Sequence, residues 1–420
     1  MPEVAQPLAA SQAAWRFYSN GQVTLPGLAA PLIDAARAGV GQGCDHHALV
    51  VLDWCNLHYP QHTRKADRVE LAHHDDLGYE LLTALVVSDR DGRPLAPVCL
   101  DLRAAAGVYT TRQAAVDQPL SSLDGLQPVM AHVAGLGLGR SLVYVIDREA
   151  DSVGHYRAWA AAGRTFLVRA DDTRLVRHGR REKKLLPLAK DLARQGQLRP
   201  SREVKFHGKK AWQFVGQTWV VLDRPARTHR VTGQGKRRKA RHVNVPGPAL
   251  TLRLVVTEVR DEGGRVLARW LLLSNAPCEV TAATLALWYY WRWEIESYHK
   301  LLKGAGLQVE AWLQENAAAL SKRLTVAAMA AVVVWRLARD QRPEARPMRD
   351  LLVRLSGRQI KRGKNRPTFT EPALLAGLGV LLPMLCLLQT YPLEDLRRLA
   401  RATLPAFLLP PSLTGHQESG

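Results

Sequence analysis

The order of apolar runs between positions 47 and 170 constrains the fold more strongly than any other feature of this sequence. Strand-like runs are short and bounded by turn residues, whereas helical runs repeat apolar residues every three or four positions. Asp91-Gly92 lies between the second and third runs and predicts a hairpin there. We therefore predict three strands, a helix, a strand, a helix and a strand, at 47–53, 81–88, 95–102, 123–136, 141–146, 152–162 and 165–170.

Two of these strands end in a carboxylate. Asp53 ends the first strand, and Asp147 directly follows the fourth. The predicted order is that of an RNase H-like core, an α/β fold in which the first and fourth strands are neighbours, so the two carboxylates would meet. Ligands of open α/β sheets bind at such strand ends. A single Asp at a strand end is more often a turn or cap residue, so a catalytic site requires a further acidic group.

That group lies in the stretch LALWYYWRWEIESYHKLLKGAG, residues 285–306. On one continuous helix, which we predict to end near Gly304 and Gly306, residues spaced Y-x2-R-x3-E-x6-K fall within an arc of roughly 60°. An i,i+4 Arg–Glu pair alone would indicate only a solvated helix. The residues with this spacing are Tyr289, Arg292, Glu296 and Lys303, and those that lie off their face and can pack the helix are Trp288, Trp291 and Trp293.

The spacing resembles the signature of the IS4-type DDE transposases, close to the Tn5 transposase group. DREAD at 147–151 resembles the second-carboxylate motif of that group, and AAWRFYSN near the N-terminus resembles its end-binding region. Asp53 matches less closely, because Trp54-Cys55 follows it where relatives often have Thr. The resemblance covers about residues 10–340 and implies that Asp53, Asp147 and Glu296 are the catalytic, metal-binding carboxylates.

The resemblance also implies a set of DNA-binding residues. Tyr289, Arg292 and Lys303 would hold transposon-end DNA, and Arg169 resembles a phosphate-binding Arg of the group. Trp270 resembles the Trp on which the group stacks a flipped base, a contact worth roughly 1–3 kcal/mol. A core aromatic is an equally good interpretation of Trp270, which lies in a strand-like run.

Three carboxylates suit hard cations, and we expect two Mg²⁺ or Mn²⁺ ions. Two ions about 3.5–4 Å apart stabilise the attacking and leaving oxygens of an in-line displacement. The resemblance implies cut-and-paste transposition of an insertion sequence: a nick at the terminal inverted repeat, hairpin formation, hairpin opening and strand transfer to target DNA by a homodimer. Two alternatives stay open, a nuclease without strand transfer and a decayed transposase that only binds DNA.

The chain carries 58 Lys and Arg against 38 Asp and Glu, and its net charge of +20 predicts a polyanionic partner. Basic runs at 177–184, 236–241 and 358–366 favour phosphate contact without base readout. Double-stranded DNA is a better candidate than a membrane, because no uninterrupted apolar run is long enough to span a bilayer. The nearest, 374–388, contains Gly and Pro, and we predict a core helix or helical hairpin there.

Five scattered cysteines and the lack of a signal-peptide pattern indicate a reducing cytoplasm, where the protein would associate with the bacterial nucleoid. The chain is expected to contain an RNase H-like α/β core with a β-rich insertion and helical ends. We divide it into a helical N-terminal DNA-binding or cap region, the first part of the core, the insertion, core helices with the Y-R-E-K residues, and a helical C-terminal region, at 1–45, 46–170, 171–275, 276–340 and 341–420.

Overall fold

The structure, a computed structural model, describes residues 8–73, 75–119, 121–232, 239–304, 306–358 and 369–403. Within these ranges, the side chains at 8–10, 114, 228–232 and 239–242 are not described. The chain divides into two compact units, residues 1–303 with 307–332 and residues 304–306 with 333–420. The finer division into five segments stays a prediction.

The first unit is a mixed α/β structure built on a large sheet. Within the described residues, this sheet has fourteen strands, and two further strands form a separate hairpin. In chain order the strands are β1 His47–His58, β2 Val69–Glu70, β3 Leu77–Ser88, β4 Pro94–Ala104, β5 Gly107–Thr110, β6 Gln113–Val116, β7 Ser141–Ile146, β8 Thr165–Arg169, β9 Leu175–His178, β10 Arg181–Lys184, β11 Arg199–Phe206, β12 Lys209–Leu222, β13 Ala226–Thr232, β14 Lys239–Val245, β15 Leu250–Arg260 and β16 Val266–Ser274. Along the sheet they run β10-β9-β12-β15-β16-β8-β7-β1-β3-β4-β5-β6, with β2 beside β3 and β11 beside β12.

Five central strands correspond to the five predicted from the sequence. β3 lies antiparallel beside β1, and β4 lies antiparallel beside β3. On the other side, β7 is parallel to β1 and β8 is parallel to β7. The β1–β7 register ends at the pair Leu52–Ile146, so the next residues along the two strands are Asp53 and Asp147. The prediction that the first and fourth strands are neighbours is confirmed.

The first strand is longer than predicted. β1 continues past Asp53 to His58, because its pairing with β3 runs on from Asp53–Thr83 to His58–Gly78. The apolar pattern breaks at Asp53 where the parallel neighbour β7 ends, although the antiparallel neighbour β3 does not end there. Asp53 is therefore anchored in an uninterrupted strand.

Several helices of this unit contact strands of the sheet. Asn20 and Gly21 lie between the two N-terminal helices. Thr24 caps the second of these helices, because its side chain accepts a hydrogen bond from the Gly27 amide. Helix α5 was not predicted from the sequence. The helices are α1 Leu8–Ser19, α2 Leu25–Gly43, α3 Leu126–Gly135, α4 Val153–Ala161, α5 Leu185–Arg194, α6 Ala282–Trp291, α7 Trp293–Lys303 and α8 Ala317–Arg339.

The predicted β-rich insertion extends the central sheet. Its runs at 212–222, 250–259 and 266–274 are strands β12, β15 and β16, and β16 pairs antiparallel with β8. The basic run 177–184 spans the β9–β10 hairpin. In the basic run 236–241, residues 236–238 lie outside the described residues, and only the backbone of the remainder is described, in β14.

The stretch that carries the Y-R-E-K residues is two helices, not the single helix that was predicted. α6 ends at Trp291 and α7 begins at Trp293. At the junction, the Arg292 amide bonds to the Tyr289 carbonyl and the Ile295 amide bonds to the Arg292 carbonyl. These tighter i→i−3 bonds mark the break between the two helices at Arg292.

The tryptophans around this junction differ in environment. Trp288 is buried, and the Trp291 ring lies against the β3–β4 hairpin, where a Cβ on Gly92 would meet it at 2.4 Å. Trp293 is 53% exposed. The prediction that all three tryptophans pack the stretch against the protein is therefore wrong for Trp293.

The second unit contains α9 Ala345–Leu355, α10 Glu371–Thr390 and α11 Leu393–Thr403. The run 374–388 lies in α10, one helix that continues through Pro383, so the helical hairpin is excluded. Its first half is buried and its second half is exposed, as at Leu382 and Leu385, so a core helix describes only the first half. Of the basic run 358–366, only Arg358 lies within the described residues.

Among the described residues, two helices are long and apolar enough to cross a bilayer by length and composition, α8 and α10. The expectation that no run is long enough is therefore wrong. Of the most apolar window, 67% is buried in α8 and 22% in α10. Buried core helices of globular proteins satisfy the same criterion, so it does not identify a membrane segment.

Candidate active site

Three carboxylates from separate parts of the chain surround one guanidinium. Asp53 on β1, Asp147 after β7 and Glu296 on α7 all lie against Arg292 at the α6–α7 junction. Arg292 Nη1 is 3.1 Å from Asp53 Oδ2, and Nη2 is 3.1 Å from Asp147 Oδ2 and 3.5 Å from Glu296 Oε1. The structure thus brings together the three predicted carboxylates, with a positive charge between them.

The two aspartates have different electrostatic environments. Burial raises the pKa of Asp53 to about 7, against the opposing charge of Arg292. Burial acts in the same sense on Asp147, but Arg292, the Arg148 amide and the Tyr289 hydroxyl outweigh it and lower the pKa. Asp53 can therefore take up or release a proton near neutral pH, while Asp147 stays ionised.

Tyr289 supports Asp147. Its side chain is buried, and its hydroxyl donates a hydrogen bond to Asp147 Oδ1 at 2.9 Å. Burial and the charge of Asp147 raise the pKa of Tyr289, so the phenol keeps its proton. In this structure Tyr289 therefore orients a carboxylate, and its predicted contact with DNA stays a prediction.

Trp270 lies close to this support. Its ring centroid is 6.2 Å from that of Tyr289. Trp270 occupies the middle of β16, and it is half-buried against a small apolar cluster of β11, β12 and β15. One side of the ring is therefore used in packing, and base stacking by the remainder stays a prediction.

The two remaining predicted cations differ in their distance from the carboxylates. Arg169, at the end of β8, places Nη1 3.8 Å from Asp147 Oδ1. Lys303, at the end of α7, instead pairs with Glu310 at 3.3 Å. In the part of the chain that the structure describes, Lys303 therefore lies outside the ion-pair group around Arg292. Both side chains are about one-third exposed, at 32% and 29%, and so are accessible to a phosphate.

The sequence analysis missed one member of this site, His299 on α7. One ring nitrogen of His299 and carboxylate oxygens of Asp53 and Glu296 lie within 4.8 Å of one another. Burial, with the charges of Lys303 and Arg292, lowers the pKa of His299 to about 3, so the ring is neutral. The Glu-x2-His spacing places both side chains on one helical face, and this signal was available in the sequence.

The second aspartate of DREAD has a structural role. The Asp151 side chain is buried, accepts hydrogen bonds from the Asp171 amide and the Tyr156 hydroxyl, and pairs with Arg174 at 3.0 Å. These contacts fix the loop that follows Asp147. A cleft of about 550 Å³ opens beside this loop, lined by charged and apolar side chains that include Arg148, Asp171, Arg174 and Arg224.

The donor set fits a divalent cation. Carboxylate oxygens are preferred ligands of Mg²⁺ and Mn²⁺, and a neutral imidazole is a ligand for transition-metal ions. Nε2 of His299 is buried and has no hydrogen-bond partner among the described residues. Asp53, Asp147, Glu296 and His299 are therefore the residues that would hold such ions.

Comparison with known proteins leaves the family of the chain open. No protein-family model matches the sequence, and no curated protein matches it significantly. Among solved structures, the chain is similar to the piggyBac transposase in a cryo-EM synaptic complex with hairpin DNA, with 9% identity and a TM-score of 0.37. The similarity covers 98% of this chain and 66% of that chain. A likeness of this strength does not establish a shared fold.

Proposed function

We propose that this chain is a metal-dependent DNA transposase of the IS4-type DDE class. The observation that carries the proposal is the meeting of Asp53, Asp147 and Glu296 around Arg292. The three carboxylates come from positions far apart in the chain and meet only because β1 and β7 are parallel neighbours and α7 lies beside them. The strand order β4-β3-β1-β7-β8 supports an RNase H-like core, as does its mixture of antiparallel and parallel pairs.

The substrate we propose is double-stranded DNA at the terminal inverted repeats of an insertion sequence, bound by a homodimer in the nucleoid. The net charge of +20 and the basic β9–β10 hairpin support a phosphate-rich partner. Arg169 lies near Asp147 and is one-third exposed, which suits it to a phosphate next to the scissile bond. Lys303 would leave Glu310 to make a second such contact.

The residues of the site have separate roles in the proposed phosphoryl transfer. Mg²⁺ or Mn²⁺, when bound, would polarise the scissile phosphate and activate water or a 3′-hydroxyl for in-line attack. Asp53 must lose its proton before it can act as a ligand, and its pKa of about 7 places that loss near neutral pH. Tyr289 holds Asp147 in place through its hydroxyl. Arg292 must withdraw from the carboxylates, and in doing so becomes available to the DNA phosphate.

The same site would serve each step that we propose, from nicking to hairpin formation, hairpin opening and strand transfer. Only the attacking hydroxyl changes between these steps, so one set of carboxylates suffices. A nuclease without strand transfer would need the same set, and the products alone distinguish the two activities.

The test is incubation of a supercoiled plasmid that carries the element's own flanking inverted repeats, with Mg²⁺ or Mn²⁺. The wild-type protein is expected to yield hairpin ends and joined products, and Glu296→Gln, which keeps the side-chain shape, is expected to yield neither. Nicked products without hairpins or joints would favour the nuclease. If both proteins bind DNA but neither cleaves it, the chain is a DNA-binding protein without catalytic activity, and the proposal is contradicted.

A further inference from the structure

We propose that His299 is a direct metal ligand, which makes one of the cation positions in this site a mixed oxygen–nitrogen site that favours Mn²⁺ over Mg²⁺. This inference rests on the proposed function, because it concerns the same site. It adds a ligand that the Y-R-E-K spacing does not contain, and with it a preference among divalent ions.

The first observation is position. A ring nitrogen of His299 lies within 4.8 Å of carboxylate oxygens of both Asp53 and Glu296. An octahedral ion with bonds of about 2.1 Å holds its ligand atoms at most about 4.2 Å apart. If the distances between the three ligand atoms shortened by less than about 1 Å, all three atoms could bind one ion with bonds of this length. Asp147 is not a member of this group, so His299 belongs to the Glu296 side of the site.

The second observation is an unmet hydrogen-bonding requirement. His299 is 6% exposed, and its buried Nε2 has no partner among the described residues. Leaving a buried polar nitrogen unpaired costs roughly 1–3 kcal/mol, so such atoms are uncommon in folded proteins. Arg292 supplies charge to the three carboxylates, and it does not supply His299 with a hydrogen bond. The imidazole is thus the member of the group whose polar atom is left unpaired.

The third observation is the chemistry of the ring. A metal ligand must offer a lone pair, and a neutral imidazole does so while an imidazolium does not. His299 places an imidazole beside the carboxylates of Asp53 and Glu296. Imidazole nitrogen binds first-row transition ions in preference to Mg²⁺, which takes oxygen ligands almost exclusively. The consequence is an Mn²⁺ preference at this position.

A structural role alone would make His299 a buried core histidine, and the chain offers a matched example. His132 on α3 also has a buried Nε2 without a partner among the described residues, but it does not belong to the carboxylate group. His132→Asn therefore controls for the loss of a buried imidazole in general. His299→Asn tests the imidazole beside Asp53 and Glu296.

The experiment is pulsed electron paramagnetic resonance of the full-length protein with MnCl₂ and no DNA. The bound Mn²⁺ is expected to show nitrogen modulation in the wild type and in His132→Asn, and none in His299→Asn. Wild-type protein grown with ¹⁵N-histidine should replace the ¹⁴N signal by a ¹⁵N signal, which identifies the ligand as a histidine without any substitution. His299→Asn is also expected to weaken Mn²⁺ binding by about tenfold or more, with a smaller effect on Mg²⁺.

The possible failures are separable. If Mn²⁺ binds, and Asp53→Asn abolishes its binding, but the spectrum lacks nitrogen modulation, His299 is not a ligand and the proposed function stands. If Mn²⁺ does not bind to the wild type, or if Asp53→Asn leaves its binding unchanged, the metal site of the proposed function fails together with this inference.

Discussion

Replacement of Arg292 by Gln is expected to destabilise the metal-free protein strongly and to make it much more responsive to divalent ions. The guanidinium is 6% exposed and contacts Asp53, Asp147 and Glu296 at 3.1, 3.1 and 3.5 Å. Removal of one partner from a buried ion pair costs about 3–5 kcal/mol, because the remaining charge is left uncompensated. Here three carboxylates lose the same partner.

The assay is thermal unfolding of Arg292→Gln in EDTA and then in Mn²⁺. At roughly 2–4 °C per kcal/mol for a domain of 150–250 residues, a loss of about 3–5 kcal/mol lowers the midpoint by roughly 6–20 °C. An ion present at 100 times its dissociation constant would return about 2.7 kcal/mol. The midpoint shift caused by Mn²⁺ is expected to be larger in Arg292→Gln than in the wild type, where the ion must first displace the guanidinium.

Arg90→Gln is the matched control. Arg90 makes a 2.7 Å ion pair with Asp45, but both side chains are 48% exposed. Exposed pairs contribute about 0–1 kcal/mol, so this substitution should change stability little and should not alter the response to Mn²⁺. The reasoning would be refuted by an Arg292→Gln protein that is as stable in EDTA as the wild type, or that gains no more from Mn²⁺.

Three further predictions concern the same region. Mn²⁺ affinity should rise from pH 6 to pH 8, with proton release measurable by calorimetry in two buffers, because burial raises the pKa of Asp53 to about 7 and the ligand must be ionised. Because the folded-state pKa of Asp53 is raised, its contribution to the stability of the metal-free protein is full below its unfolded pKa of about 3.9 and is lost as the pH rises through about 7. An Mn²⁺ affinity that does not change with pH would contradict the predicted rise. Tyr289→Phe should raise the pKa of Asp147 and cost about 1.5–3 kcal/mol of stability in denaturant titration, since a hydrogen bond to a charged group is lost. Gly92→Ala should destabilise by at least about 1 kcal/mol, because its φ is +74° and a Cβ would lie 2.4 Å from the Trp291 ring; unchanged unfolding would show that Trp291 can move at no cost.

The central sheet could be predicted from the sequence because its strands are buried on both faces. The runs in β1, β3 and β7 are nearly continuous in apolar residues, so their period and ends are unambiguous. Asp53 and Asp147 could be placed together because parallel neighbours end at the same edge. The end of β1 could not be placed, since its last residues pair with β3 and the chain there alternates apolar and polar side chains.

The site could be predicted only in part, because side-chain spacing on an ideal helix reveals neither a break between two helices nor the ion-pair partner of each side chain. Tyr289, Arg292 and Glu296 reach one site, whereas Lys303 pairs with Glu310. Arg292 lies between the carboxylates because the fold brings them together in space, and residue spacing along the chain does not predict these contacts. His299 was within reach of the sequence, since Glu-x2-His places both groups on one face.

Helix α5 and the second half of α10 show two other limits. α5 has buried residues at helical spacing, Leu185, Leu188, Ala189 and Leu192. Its predominantly basic surroundings concealed the pattern in a region that otherwise alternates like strands. In α10, composition predicts an apolar helix but does not determine how much of it the protein covers, because burial depends on neighbours distant in sequence.

The joining of β16 to β8 has a mechanical consequence. Ser274 pairs with Leu167 and Leu272 pairs with Arg169 on β8, whose other edge is bonded to β7, the strand that leads into Asp147. A ladder of backbone hydrogen bonds therefore runs without interruption from the basic hairpin to the second carboxylate. If this hairpin holds DNA, as we propose, a pull on the DNA would act on these hydrogen-bonded strands. Under the proposed function, tension in bound DNA would then reach the strand that precedes Asp147 through backbone hydrogen bonds.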